Sequence, residues 1–182
     1  MTFLDTNLII SFVFETDTNH NLAVKTINTL PQRKIYITPI TLLELKCVAC
    51  RKLLADKLVD PLKLYIDNLP DIEAKCKTIL TLILEYLGKS ASVEILDDPN
   101  NYHPQEVKLH PKPITLPKII TKAMNLAPII RLRTLDLLNI TYIATLLHRA
   151  KTSKFITLDT GFLNYKDTIS KELGITVEIP QH

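Results

Sequence analysis

The chain has 182 residues, 22 Lys and Arg against 19 Asp and Glu, and 46% hydrophobic residues. That length suits one domain, or one domain with a sizeable insertion, and the apolar content excludes an intrinsically disordered chain. Three cysteines exclude a disulfide scaffold, three glycines with no G-x-G-x-x-G or G-x-x-x-x-G-K-[ST] run exclude a Gly-rich phosphate loop, and a net charge of +3 pushes only weakly toward anionic partners.

Thr2 to Leu4 reads as a short first strand ending at Asp5. Asn7 to Glu15 and Asn21 to Leu30 read as helices, and Lys34 to Thr38 has the alternation and β-branching of a second strand. Thr38–Pro39 then reads as a helix cap with proline in the first turn, and the helix continues from Ile40 to about Leu54. Within it, Cys47 and Cys50 form a C-x-x-C with no second pair and no His at ligand spacing, so structural cysteines are the expectation.

Residues 61 to 88 read as helical, and residues 97 to 118 are loop-like because they hold Pro99, Pro104, Pro111, Pro113 and Pro117. A helical pattern reopens at Thr115–Leu116–Pro117 and runs toward Arg133, with Pro128 as a break. Another helix runs from about Leu135 to Arg149. Lys154 to Leu158 is a strand, Phe162 to Leu173 a helix with Gly174 as its stop, and Ile175 to Ile179 a last strand. Strands separated by helices predict a three-layer α/β/α domain with a mainly parallel sheet, and residues 55 to 130 read as a helical and Pro-rich insertion within one domain of residues 1 to 182. The longest early apolar stretch, Leu8 to Phe14, is too short to span a bilayer, and no basic cluster opens the chain, so a cytoplasmic location with no membrane partner is expected.

Four acidic residues fall at topologically similar places. Asp5 and Asp159 end strands, Glu44 lies about one turn into the helix after the second strand, and Asp136 opens a helix. In a parallel sheet, ligands bind at the carboxyl ends of the strands, so all four can converge at one edge. Clustered carboxylates raise one another's pKa, and a hard divalent cation is the usual compensation. Each has a bland reading too. Asp5 caps a helix, Thr41 to Glu44 forms a capping box, Asp136 complements a helix dipole and Asp159 starts a turn. Taken together they favour a site, because four independent caps need not face one end of a sheet.

The blocks that carry these residues resemble the PIN-domain nucleases, of the kind typified by VapC-like toxins. F-L-D-T-N (Phe3 to Asn7) is similar to the family's first block, T-P-I-T-L-L-E-L (Thr38 to Leu45) to the second, L-R-T-L-D-L-L-N-I-T-Y-I-A (Leu132 to Ala144) to the third, and F-I-T-L-D-T-G-F (Phe155 to Phe162) to the fourth. The resemblance implies an acidic tetrad of Asp5, Glu44, Asp136 and Asp159 that acts in catalysis and holds Mg²⁺ or Mn²⁺, with Asn7 and Thr157 as accessory polar positions. It implies endonucleolytic hydrolysis of RNA by water, leaving a 5′-phosphate and a 3′-hydroxyl. A toxin of this kind is neutralised by an antitoxin protein that reaches the site with a basic side chain. PIN domains often dimerise through helices, and the apolar helices between residues 40 and 88 are the candidates for a homodimer. Two departures stand out: the region between the second and third blocks is longer than in compact members, and Asn139 stands where many members carry His or another polar residue.

Residues 107 to 135 contain Lys108, Lys112, Lys118, Lys122, Arg131 and Arg133 and no Asp or Glu, while acidic residues outnumber basic ones in the rest of the chain. A segment of that charge leading into Asp136 is expected to carry RNA backbone toward the acidic site, with Lys118, Lys122, Arg131 and Arg133 as the contacts; a solvated loop and helix face is the competing reading. The histidines, His20, His103, His110, His148 and His182, share no metal spacing, and Tyr36, Tyr142 and Tyr165 read as packing residues before base-stacking ones. Beside toxin action stand an RNA-processing or quality-control nuclease and a PIN-like module that binds RNA or protein without cutting. A phosphoacceptor receiver domain is disfavoured, because its acidic pair and late Lys are not found.

Overall fold

A computed structural model describes residues 1–30, 34–108, 112–147 and 153–181. Its centre is a five-stranded sheet, all of whose pairings are parallel: β1 (Thr2–Leu4), β2 (Ile35–Ile37), β3 (Val93–Ile95), β6 (Ser153–Ile156) and β7 (Ile175–Glu178), in the order β3-β2-β1-β6-β7. The chain steps outward one way through β2 and β3, then returns to the other side of β1 for β6 and β7. The crevice between the carboxyl ends of β1 and β6 is therefore the topological switch point of the sheet, where side chains from connections leaving in opposite directions meet.

Side-chain alternation along the strands divides the core into two halves. Leu4, Ile35, Ile37 and Ile156 pack on one face against α1 (Thr6–Val13), α2 (His20–Thr29), α3 (Pro39–Lys52), α4 (Asp60–Ile66) and α5 (Ile72–Ser90). Phe3, Phe155, Ile175 and Val177 pack on the other against α6 (Lys118–Leu126), α7 (Thr134–Leu146) and α8 (Lys166–Leu173). The result is the α/β/α sandwich expected of the alternating pattern. Each charged outer strand carries a cross-strand ion pair, Lys34–Glu94 at 3.0 Å on β3 and Lys154–Glu178 at 2.5 Å on β7.

Local chemistry sets the helix ends. The Asp5 carboxylate caps α1, the Thr38 hydroxyl caps α3 with Pro39 in the first turn, and α8 stops at Gly174, whose φ of 67° lies in the left-handed region that a side chain disfavours. Within residues 55 to 130, the helical part divides at Pro70 into α4 and α5. Ile79, Ile83 and Leu87 of α5 are buried in the main core, and β3 joins the central sheet beside β2. The Pro-rich part holds a short 3₁₀ helix (Pro99–Tyr102) and an antiparallel hairpin of β4 (Pro104–Val107) and β5 (Ile114–Pro117). Pro104 and Pro117 face each other at the open end of that hairpin, where a missing N–H is tolerated. Among the described residues, no helix is long and apolar enough to cross a membrane.

Candidate active site

Asp5 is 4% exposed and stands one residue past β1, its N–H bonded to the Ile156 carbonyl of β6. One carboxylate oxygen, Oδ1, accepts the Thr6 N–H at 2.8 Å; the other, Oδ2, accepts the Thr157 hydroxyl at 2.6 Å. The Thr157 oxygen in turn accepts the Asp159 N–H at 3.0 Å. Asn7 Oδ1 accepts the Leu158 N–H at 3.2 Å and lies 3.3 Å from the Thr157 hydroxyl, whose single proton goes to the nearer Asp5. These bonds lock the end of β6 against the end of β1. Asp159 begins the 3₁₀ helix Thr160–Tyr165, and its Oδ1 accepts the Gly161 N–H at 2.7 Å.

Glu44 projects from α3, and its Oε2 accepts the Thr6 hydroxyl at 2.8 Å. The capping-box reading of Glu44 is corrected here: α3 is capped one turn earlier by Thr38, which takes the Thr41 N–H at 3.1 Å, so Thr41 is inside the helix and Glu44 is free of that duty. Asp136 lies in the first turn of α7, whose cap position, Arg133, supplies no side-chain bond. Buried Asn139, one turn further along, accepts the hydroxyls of Thr38 at 2.7 Å and Thr41 at 3.3 Å, tying α7 to the start of α3. The polar residue at this position is therefore a brace between the helices that carry Glu44 and Asp136.

Asp5, Glu44, Asp136 and Asp159 all line one cleft of about 460 Å³, together with Asn7, Arg133 and the apolar Ile10, Val48 and Leu135. Their charges are felt across it. Burial, reinforced by Asp136 and Glu44, pushes the Asp5 carboxyl up to about 7 against the opposing bonds from Thr157 and Thr6. Burial, with Glu44 and Asp159, pushes Asp136 up to about 6, and the Arg133 guanidinium partly offsets this.

A family model for the PIN domain matches residues 2–97, more than half of the chain. The chain belongs to the PIN-domain family. No curated protein matches it. PIN domains are in general nucleases, so the family places this chain among hydrolases acting on nucleic acid. The matched segment contains Asp5 and Glu44; Asp136 and Asp159 lie beyond it, and the tertiary structure brings them to the same cleft.

PIN nucleases typically use divalent metal ions. The donor set of this PIN domain is all oxygen, which suits a hard cation; burial first, and then the acidic neighbours, raise Asp5 and Asp136, and a cation would relieve the repulsive part. Among the described residues no three acidic, His or Cys side chains stand close enough together to hold a metal ion directly. Carboxylates that line one cleft at this wider spacing would reach an ion through its bound waters, several of which Mg²⁺ keeps.

Sequence reasoning missed three contributors. Thr6 couples Asp5 to Glu44, and only its position after a strand-ending Asp hints at this. A Cβ at Gly161 would lie 3.0 Å from Asp159 Oδ1, so this glycine keeps the carboxylate free of a crowding side chain. Lys52 reaches the cleft wall, held by Asp17 at 3.4 Å and Asp56 at 3.0 Å over the ring of Phe14.

The basic residues part company. Arg133 is at the acidic cleft, Arg131 is exposed on the connection before α7, and Lys118 and Lys122 line a separate hollow of about 550 Å³. Cys50 packs between helices with its thiol 3.6 Å from the Cys76 carbonyl, and burial together with Cys76 pushes it up to about 11, the range of an inert thiol. His20 bonds the Ser11 carbonyl and His103 lines the hollow with Lys118; His110, His148, Arg149 and His182 lie outside the described residues. Tyr36 packs on Phe3, and Tyr142 is fully buried.

Proposed function

We propose that this PIN domain is a divalent-metal-dependent endoribonuclease that hydrolyses RNA phosphodiester bonds with water as the nucleophile. The observation that carries the reading is the meeting of Asp5, Glu44, Asp136 and Asp159, from four separate elements, around one cleft with Arg133 at its wall. Asp5, Asp136 and Asp159 would hold Mg²⁺ or Mn²⁺. When bound, the ion lowers the pKa of the attacking water and offsets charge on the phosphoryl oxygens.

The chain's own residues do the rest. Thr157 and Thr6 hold both oxygens of Asp5 in place, and Asn7 steadies the turn from Thr157 to Asp159. Glu44, anchored through Oε2 by Thr6, keeps Oε1 for the metal or for orienting the attacking water. Arg133 offers a guanidinium to the non-bridging phosphate oxygens. Water attack leaves a 5′-phosphate and a 3′-hydroxyl, and no Ser, Cys or His nucleophile is required.

The test is cleavage of a mixed RNA pool with Mn²⁺, with sequencing of the product ends. Asp5→Asn and Asp159→Asn should each lose about 100-fold or more activity with folding unchanged; full activity in both variants refutes the assignment. Within this reading a toxin role implies an antitoxin, and growth arrest on expression, relieved by co-expressing the neighbouring gene, separates a toxin from a processing nuclease. Leu43, Leu54, Leu64 and Tyr65 on α3, α4 and the connection between them are exposed and are the surface through which a homodimer would form, to be tested by solution mass.

A further inference from the structure

The segment that makes this chain longer than a compact relative builds a second polar hollow. It is lined by Lys118 and Lys122 of α6, His103 and Asn101 from the 3₁₀ region, and Thr145 of α7. Asn101 is 1% exposed and donates to the Thr145 hydroxyl at 2.8 Å, which ties the 3₁₀ region to α7 at the floor. Among the described residues, Asp98 is the one acidic residue lining it, and its Oδ1 accepts the backbone and side-chain N–H groups of Asn100. Lys118 and Lys122 are four residues apart on one helix face, and among the described residues neither forms an ion pair. Burial and the Lys118 charge hold Lys122 below the ordinary lysine range, with Asp98 opposing. Asp98 offsets the charge of Lys122 only in part, so the two ammonium groups leave the hollow able to take an anion.

The hollow continues. A neighbouring one of about 280 Å³ shares Lys122, Ala144 and Thr145 with it and is walled by Leu126 and Leu173. The joined feature is a groove between α6 and α7, basic at one end and apolar at the other, which matches the phosphate and the base of a nucleotide unit better than a lone ion. Thr145 is nine residues from Asp136, about 13 Å along α7 and about half a turn round it, so the groove is separate from the acidic cleft.

We infer that the groove between α6 and α7 is a second nucleic-acid site, in which Lys118 and Lys122 clasp a backbone phosphate of single-stranded RNA and the Leu126–Leu173 end receives an adjoining base. It rests on the nuclease reading for its substrate class, and it assigns that substrate an anchor away from the point of cutting.

The experiment measures binding of a fluorescein-labelled 12-nucleotide RNA by anisotropy in EDTA, where no cleavage occurs. The double variant Lys118→Gln/Lys122→Gln should weaken binding about 10-fold or more and lower the slope of log K against log salt by about 1–2. Ala144→Trp, which fills the groove without altering charge, should weaken binding comparably, whereas Lys89→Gln on α5 should not. Circular dichroism and thermal midpoints check that the variants fold. Wild-type affinity in the double variant, wild-type affinity in Ala144→Trp, or displacement of the RNA by inorganic phosphate as effective as by unlabelled RNA would each overturn the inference. Cleavage with Mn²⁺ is scored separately. RNA held in the groove but never cut defeats the nuclease reading alone; RNA cut but indifferent to the groove variants defeats this inference alone.

Discussion

Asp5 and Thr157 are 152 residues apart in the chain, yet the Thr157 hydroxyl donates to Asp5 Oδ2 at 2.6 Å. The contact follows from register. Leu4 pairs with Ile156 in the parallel β1–β6 ladder, so the next residue of each strand emerges side by side at the switch point. Thr157 should therefore act as a positioning residue for Asp5. Thr157→Val is expected to cost about 1–3 kcal/mol of stability, because a buried carboxylate oxygen loses its donor, and to lower cleavage about 10–100-fold. Thr157→Ser, which keeps the hydroxyl, should restore both, as read by denaturant unfolding and by RNA cleavage.

The acidic cluster makes the metal-free protein sensitive to pH. Asp5 rises from 3.8 to about 7 and Asp136 from 3.8 to about 6, so between about pH 4 and pH 7 the folded chain holds protons that the unfolded chain has released. Stability in EDTA should accordingly fall as pH rises through that window and level off above it. Asp5→Asn removes the buried charge. Its amide can still accept from Thr6, and Thr157 can turn its proton toward Asn7. At pH 8 in EDTA this variant is expected to gain about 2 kcal/mol, a rise in Tm of about 4–8 °C by calorimetry.

Metal addition should invert that ranking. Mn²⁺ binds only the folded wild type in this scheme and raises its Tm with metal concentration, while Asp5→Asn responds little. An equal Mn²⁺ response in the two proteins would place the ion elsewhere.

Asn139 ties two helices through the Thr38 and Thr41 hydroxyls. Asn139→Leu leaves both hydroxyls short of their acceptor and removes the brace between the helices that bear Glu44 and Asp136. We expect a loss of about 1–3 kcal/mol in urea unfolding and a fall in cleavage larger than the stability change alone explains.

Gly161 makes a different test, because its backbone is not in the left-handed region. Gly161→Ala places a methyl 3.0 Å from Asp159 Oδ1 and should displace that carboxylate. Activity should fall about 10-fold while the thermal midpoint moves by only a few degrees.

Much of this protein is written locally. Lys34–Thr38 shows strand alternation, Thr38–Pro39 shows a helix start, Gly174 shows a helix stop, and each is decided by a few neighbouring residues through sterics and capping. The acidic residues at strand ends and helix starts were legible for the same reason, since a parallel sheet sends all such positions to one edge. Tertiary structure alone decided the rest. Val93–Ile95 is a three-residue, largely exposed strand whose place in the sheet comes from pairing with β2, not from any periodicity of its own. Thr6 meets Glu44, and Asn139 meets Thr38, through contacts 38 and 101 residues long that no local window contains. The six basic residues of one segment looked like a single approach to Asp136, but the packing of α6 on α7 sends Lys118 and Lys122 to their own groove and leaves Arg133 at the acids. Charge sequence determines how much positive potential the segment carries; only the way a helix turns its faces determines where each charge can act.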